Sequence, residues 1–590
     1  MYNSRFISVT AALYALVLAS VSTQAAEAAP RTDLAVVKPV TSCEQLAGLD
    51  LRGATSTPAV ITAASVLQTP KGAYCKVSGT IAPAITFEVD LPIEHWTQRF
   101  VESAMGRGTI GNAGGCAPAI NGEIAVAADN LGHTGKGQFD AAWTSDMQAR
   151  IDLAYRANHE TALAAKAVIK AFYGQPQRFA YFLGCSEGGR EALQEAQRFP
   201  TDFDGVSAGA PVAIDSVHNS FFHAWEAHAN QRADGSRILA ANRLNILHKA
   251  VVTHCAPSAG SIDGMLQIPS ACRFDAAWVQ CPQGNADTSN CLTAEETAVV
   301  VKLYEGPSDG NGHHFEISGL PLGSETAWKL STATEFGDRE TREGFALRRL
   351  LPPPEGDEDS ASLDSAFAFD QVWYDKVNVL APLYNAANTD LKAFDRHGGK
   401  LILWQGAEDT TVQPATSLAY YEGVRKVSGE ATDGFLRYFL LPGVGHCNGG
   451  EGPSQIDTLS PLMAWVEGHR APDVIIAGKT EDHGPMPGPQ NPPANQPPGQ
   501  GNPAAGPPGG PNYPYANADQ TPSYTRPIYP FPDVARYTGK GDPNNAVNYE
   551  RVRSGVSVSQ GFDSQAAGLY APDNQKFYRV ENGQLVAEAR

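Results

Sequence analysis

The segment RFAYFLGCSEGGREALQEAQRFP, Arg178 to Pro200, limits the possible folds of this chain more than any other. Its apolar start reads as a short buried strand, and GREALQEAQRF reads as a helix stopped by Pro200. Between them Gly184-Cys185-Ser186-Glu187-Gly188 satisfies G-x-S-x-G. A strand that turns straight into a helix leaves no room for side chains beside its apex residue, which accounts for both glycines, and the helix N-terminus favours developing negative charge there. The spacing of apolar and Ala positions in ARIDLAYRANHETALAAKAVIKAFYG predicts a preceding helix, and GGKLILWQG predicts another buried strand. Alternating helix and strand is the beat of an α/β sheet. Ser186 is therefore a candidate nucleophile.

A serine hydroxyl barely ionises at neutral pH, so it needs a base within hydrogen-bond reach and a carboxylate to orient that base. In an α/β-hydrolase these follow in the order Ser, Asp or Glu, His. LILWQGAEDTTVQP places Asp409 just beyond a buried strand, and FLLPGVGHCNGG places His446 in a Gly-rich loop after the next strand-like run. The same geometry makes the backbone N–H of Glu187 one oxyanion donor and calls for a second from an early Gly-rich loop, Gly106 to Gly108. Cys185 precedes Ser186 and Cys447 follows His446, so bringing base to nucleophile also brings these thiols together. A disulfide there would close 262 residues, for roughly 5 kcal/mol at most.

The 590 residues are 42% hydrophobic, enough for one large domain or two to three ordinary ones, and the net charge of −19 argues against a nucleic-acid partner. Arg5, the apolar run Ala11–Val21 and the small residues after it predict a secretory signal, with cleavage after Ala25 or Ala28 and a secreted or periplasmic protein. No later stretch is long and apolar enough to span a membrane. Export permits disulfides, and an odd nine Cys leaves at least one unpaired in the chain. The irregular stretch from about Pro211 to Asp395, with four clustered Cys, reads as an insertion forming a lid. Gly484 to Tyr515 is too rich in Pro and Gly to form helix or core.

GCSEGGREALQEAQRFPTDFDGVSAGAP, DLKAFDRHGGKLILWQGAEDTTVQP, LPGVGHCNGGEGP, AYCKVSGTIAP, AADNLGHTG and TRPIYPFPDVARYTGKGDPNNAVNY together resemble the tannase and feruloyl esterase family. The resemblance implies an α/β-hydrolase catalytic domain with a large lid, a triad of Ser186, Asp409 and His446, a Cys185–Cys447 bridge, and cleavage of small aromatic-acid esters without a cofactor. The implied organisation is a signal peptide at 1–28, catalytic parts at 29–211 and 396–483, a lid at 212–395, a Pro/Gly-rich excursion at 484–520 and a catalytic tail at 521–590. Residues 555–590 carry no motif. Gly108 aligns with the family's oxyanion glycine. The bridges Cys43–Cys75, Cys255–Cys272 and Cys281–Cys291 are implied too, leaving Cys116 over. The family's calcium loop is degenerate here, with only Asp263 left of three carboxylates, so calcium binding is not expected. A further family disulfide is absent, with Tyr529 and Arg551 in its places. Phe221, Phe222, Trp225, Phe367 and Trp373 are candidates for an aromatic acyl slot. Hydroxycinnamate esters rank first, gallate esters second and terephthalate monoesters third; an inactive exported binding protein on the same fold and a serine peptidase are the competing readings.

Overall fold

The structure is a computed structural model and describes residues 32–69, 72–104, 122–134, 142–330, 342–353, 355–358, 360–479, 522–556 and 564–588. The signal segment 1–28, Gly108, Cys116 and the excursion 484–520 lie outside these.

Strands β1 (Ala59–Thr69), β2 (Gly72–Ile81), β3 (Ile85–Pro92), β4 (Arg99–Ser103), β5 (Ile124–Asp129), β6 (Phe179–Cys185) and β7 (Gly205–Gly209) join two later strands in one sheet. Those two are β10 (Lys400–Gly406) and β11 (Leu436–Leu441); the short β8 (Ser261–Ile262) and β9 (Met265–Leu266) form a separate hairpin. The sheet order is β1-β2-β3-β5-β4-β6-β7-β10-β11, with β1, β2 and β3 antiparallel and β5 through β11 parallel. Residue alternation sends side chains to opposite faces. Phe100, Phe182, Leu401 and Leu403 join one core cluster with the helix Ala157–Tyr173. Val101, Tyr181, Leu183, Ile402 and Trp404 join the other with the helix Leu459–Gly468. Both faces of the parallel strands are thus covered, which is why these strands read as continuous apolar runs.

Between β7 and β10 the helices Leu244–Ala259 and Ala294–Glu305 build a core of their own from Leu247, Val251, Val300, Leu303 and Leu320. A second cluster gathers Phe221, Phe315, Leu347, Trp373 and Val377. Of the aromatics proposed for an acyl slot, Phe221 and Phe367 pack edge to face at 5.0 Å, and Phe367 meets Trp373 at 5.3 Å. Phe222 stacks on His218 at 5.2 Å, and the indole N–H of Trp225 donates to the Lys302 carbonyl. These rings are largely this segment's own packing, because an aromatic run signals burial without saying against what. The buried Arg150 guanidinium donates to the carbonyls of Arg348, Arg349 and Leu351 at 2.6–2.8 Å, capping the carboxyl end of the helix Arg342–Leu350.

The C-terminal part adds β12 (Ile475–Lys479), β13 (Tyr524–Ile528), β14 (Asp533–Tyr537), β15 (Tyr549–Arg553) and the hairpin β16 (Tyr578–Glu581)–β17 (Gln584–Ala587). Residues 564–588, without a sequence motif, pack back on the helix Glu187–Arg198: Arg198 donates to the Lys576 carbonyl at 2.7 Å and Gln575 to Gln194 at 2.9 Å. Tyr529 and Arg551, standing where the resemblance implies a disulfide, face each other with the guanidinium 5.9 Å from the ring centre, a weaker contact worth about 0.5–1 kcal/mol.

Glu195 of the same helix is buried together with Glu102 and Asp129, and among the described residues neither carboxyl oxygen of Glu102 or Glu195 has a hydrogen-bond partner. Burial, reinforced by mutual repulsion, pushes Glu102 and Glu195 well above the ordinary carboxylate range, and burial pushes Asp129 up to about 7. The native chain therefore keeps protons that the unfolded chain releases, so stability is greatest below about pH 4 to 5 for these groups and falls as pH rises through the raised values. Glu195→Gln is expected to match the wild type in Tm at pH 5 and to exceed it at pH 8, by about 1–2 kcal/mol in stability. Melting curves across that range check this; equal Tm at both pH values would contradict it.

Candidate active site

Ser186 sits at the carboxyl end of β6 with φ 66° and ψ −123°, a conformation a side-chain-bearing residue holds only under constraint. Its N–H donates to the Gly209 carbonyl at 3.0 Å, and its own carbonyl accepts from Arg190 at 3.1 Å. A Cβ at Gly184 would strike the Gly188 carbonyl, and one at Gly189 would strike that of Gly209, so the elbow excludes side chains at both places.

Asp409 and His446 come from the loops after β10 and β11, pressed together at Gly406, where a Cβ would collide with the Val444 and Gly445 carbonyls. Ala407 and Glu408 donate to the carbonyls of Leu441 and Val444 at 2.8 and 3.0 Å. His446 Nε2 lies 2.7 Å from Ser186 Oγ, and Nδ1 lies 2.8 Å from Asp409 Oδ2. The fully buried Asp409 also accepts, at Oδ1, from the N–H groups of Thr411 at 2.8 Å and Val412 at 2.9 Å. These donors fix the carboxylate, which fixes the imidazole with Nδ1 protonated and Nε2 aimed at the serine. Cys185 and Cys447 are joined, with their Cα atoms 6.1 Å apart. Cys43–Cys75, Cys255–Cys272 and Cys281–Cys291 are joined as well.

Ser186, Asp409 and His446 thus meet at the carboxyl ends of the parallel strands β6, β10 and β11, with β7 lying between β6 and β10. Glu187 begins the helix behind Ser186, but its side chain turns inward: it is 4% exposed and accepts from the buried Arg190 guanidinium at 2.8 Å. Arg349, on the helix Arg342–Leu350, reaches Asp215 at 2.6 Å. The elbow thereby rests on the same buried charge cluster as the segment above it. Sequence reading missed Arg190, Asp215 and Arg349, whose relation shows only in three dimensions.

A family described as "Tannase and feruloyl esterase" matches residues 66–552. The chain belongs to that family. It is 29% identical over 551 residues to the mono(2-hydroxyethyl) terephthalate hydrolase of Piscinibacter sakaiensis, covering 81% of this chain and 84% of that one. It is 27% identical over 445 residues to feruloyl esterase B of Aspergillus niger, covering 70% and 80% respectively. Its fold is shared with the crystal structure of feruloyl esterase B from Aspergillus oryzae, at a TM-score of 0.67 and 22% identity over 87% of this chain and all of the other. This member is a carboxylic ester hydrolase with an α/β-hydrolase fold.

In the esterase's loop between Cys255 and Cys272 the carboxylate left for calcium is engaged by an arginine. Asp263, its remaining carboxylate, accepts from Arg526 Nε at 2.7 Å, and that guanidinium is packed 4.6 Å from the ring centre of Tyr524 and 4.9 Å from that of Tyr549. A fixed positive charge already occupies the one anionic ligand of the loop, and calcium needs several such oxygens. Arg526→Ala is expected to cost about 1–3 kcal/mol, less than a fully buried pair because Asp263 is partly exposed. In calorimetry, neither a chelator nor added calcium should move the wild-type Tm; a fall with chelator would contradict the assignment.

Beside the Asp409 loop a cleft is lined by His223, Leu320, Trp328 and Leu330 on one side and Thr410 and Thr411 on the other. Trp328 and Leu330 were not singled out from the sequence, where nothing separates them from core residues.

Proposed function

We propose that the protein is an exported serine esterase that cleaves small esters of aromatic acids through an acyl-enzyme, hydroxycinnamates ahead of gallates. The observation that carries this reading is the continuous chain Asp409–His446–Ser186, at 2.8 and 2.7 Å. His446 takes the Ser186 proton as Oγ attacks the ester carbonyl, then gives it to the departing alcohol as the C–O bond breaks. Water, deprotonated in turn by His446, frees the acid and restores Ser186. The Glu187 N–H and a glycine N–H at Gly108 hold the developing oxyanion. No cofactor or calcium enters this scheme, and the net charge of −19 speaks against nucleic acid. Export is supported by the N-terminal signal pattern and by four disulfides.

A terephthalate monoester is the second reading, favoured by the similarity to the Piscinibacter enzyme over more of the chain than to the Aspergillus niger esterase. A competing inactive binding protein on the same fold is disfavoured by the hydrogen-bonded triad. Initial rates on methyl ferulate, methyl gallate and mono(2-hydroxyethyl) terephthalate separate these readings. The first should lead in kcat/KM by about tenfold or more, roughly 1.4 kcal/mol; a lead for either other ester overturns the ranking, and hydrolysis of amides with no ester preference would support a peptidase.

A further inference from the structure

Gln405 lies on β10, fully buried, four residues before Asp409. Its Nε2 lies 2.8 Å from Asp409 Oδ2, the oxygen that also accepts from His446 Nδ1, and 3.0 Å from the Val412 carbonyl. Its Oε1 accepts from the Ser417 hydroxyl at 2.7 Å. This set fixes the orientation of the amide: both neighbours of Nε2 can only accept, and the neighbour of Oε1 can donate. Turned over, the amide would set its oxygen against a carboxylate, with both groups fully buried. Ser417, on the helix Pro414–Ser428, therefore locks Gln405, and Gln405 supplies Oδ2 with a second donor.

We propose that Gln405 is a positioning residue for the reaction and Ser417 its anchor. Thr411 and Val412 hold Oδ1 from the loop, while Gln405 holds Oδ2 from the rigid strand. The carboxylate can then neither rotate about its own axis nor swing away as His446 gains and loses a proton. Sharing Oδ2 between two donors also limits how strongly Asp409 stabilises a charged imidazolium, which keeps His446 available as a base. Neither Gln405 nor Ser417 was singled out from the sequence. The inference rests on the triad reading proposed above.

The test compares Gln405→Leu, Gln405→Met and Ser417→Ala with the wild type in the pH dependence of kcat/KM on methyl ferulate and in the rate at which a fluorophosphonate labels Ser186. Gln405→Met keeps length and approximate volume but has no donor, so it separates packing from hydrogen bonding. Gln405→Leu and Gln405→Met are expected to lower kcat about tenfold with KM within twofold, and to move the acid limb upward by about half a pH unit or more. Ser417→Ala should shift both in the same direction by less. The acid limb is the readout because Glu408, beside Asp409, is pushed up to about 8 by burial and by Glu325 and Glu451, against the influence of His248, and so bears on the alkaline side. Both labelling and turnover unchanged in Gln405→Met, whatever its Tm, would overturn the proposal. Labelling that follows the expected pH shift while methyl ferulate is not hydrolysed would sustain Gln405 and overturn the substrate. No labelling of wild-type Ser186 would overturn both.

Discussion

Asp409→Asn should lower kcat by about four orders of magnitude with little change in KM. The cause lies in the donors around the carboxylate. Thr411 and Val412 present two N–H groups to Oδ1, so the asparagine oxygen must stay there and its NH2 group must take the place of Oδ2. That group would then face His446 Nδ1 and Gln405 Nε2, donor against donor. Imidazole escapes the clash by moving its proton to Nε2, the nitrogen that must accept from Ser186. Steady-state rates with an unchanged fold by circular dichroism check this. A loss below tenfold would mean that Asp409 is not the orienting group.

Removing the Cys185–Cys447 bridge is the second large effect. It ties the residue before the nucleophile to the residue after the base and closes 262 residues. The paired change Cys185→Ala with Cys447→Ala is expected to cost up to about 5 kcal/mol. Spread over a chain of this size, that lowers Tm by about 4 °C. Activity should fall as well, because Cys447 holds a positive φ of 60° beside His446 and is pinned there by its partner. Replacing Cys281 and Cys291, which close only 10 residues far from the triad in sequence, should leave kcat unchanged. Calorimetry and kcat on the two paired variants make the comparison. Equal kcat losses would remove the special role of the central bridge.

The parts of the site legible in the sequence were those written locally. G-x-S-x-G between a buried strand and a helix fixes an elbow because a side chain at Gly184 would strike the Gly188 carbonyl. Asp409 and His446 were legible because loops at the ends of consecutive parallel strands converge, so order along the chain becomes proximity. Gln405 and Ser417 were not, since their value depends on which way two buried polar groups point. Arg526 was also invisible: its partner Asp263 stands 263 residues away, and no periodicity links them. The aromatics of the segment after β7 were legible as packing residues: Phe367 meets both Phe221 and Trp373. The final residues gave no pattern because 564–588 are held by side chains of the helix Glu187–Arg198 rather than by a core of their own.

The central claim is that Ser186 carries the acyl group during turnover. The most direct measurement is acid-quenched mass spectrometry of enzyme mixed with methyl ferulate during the first turnovers. The account predicts a feruloyl adduct on the peptide containing Ser186, absent in Ser186→Ala. Hydrolysis without that adduct, undiminished in Ser186→Ala, would contradict it.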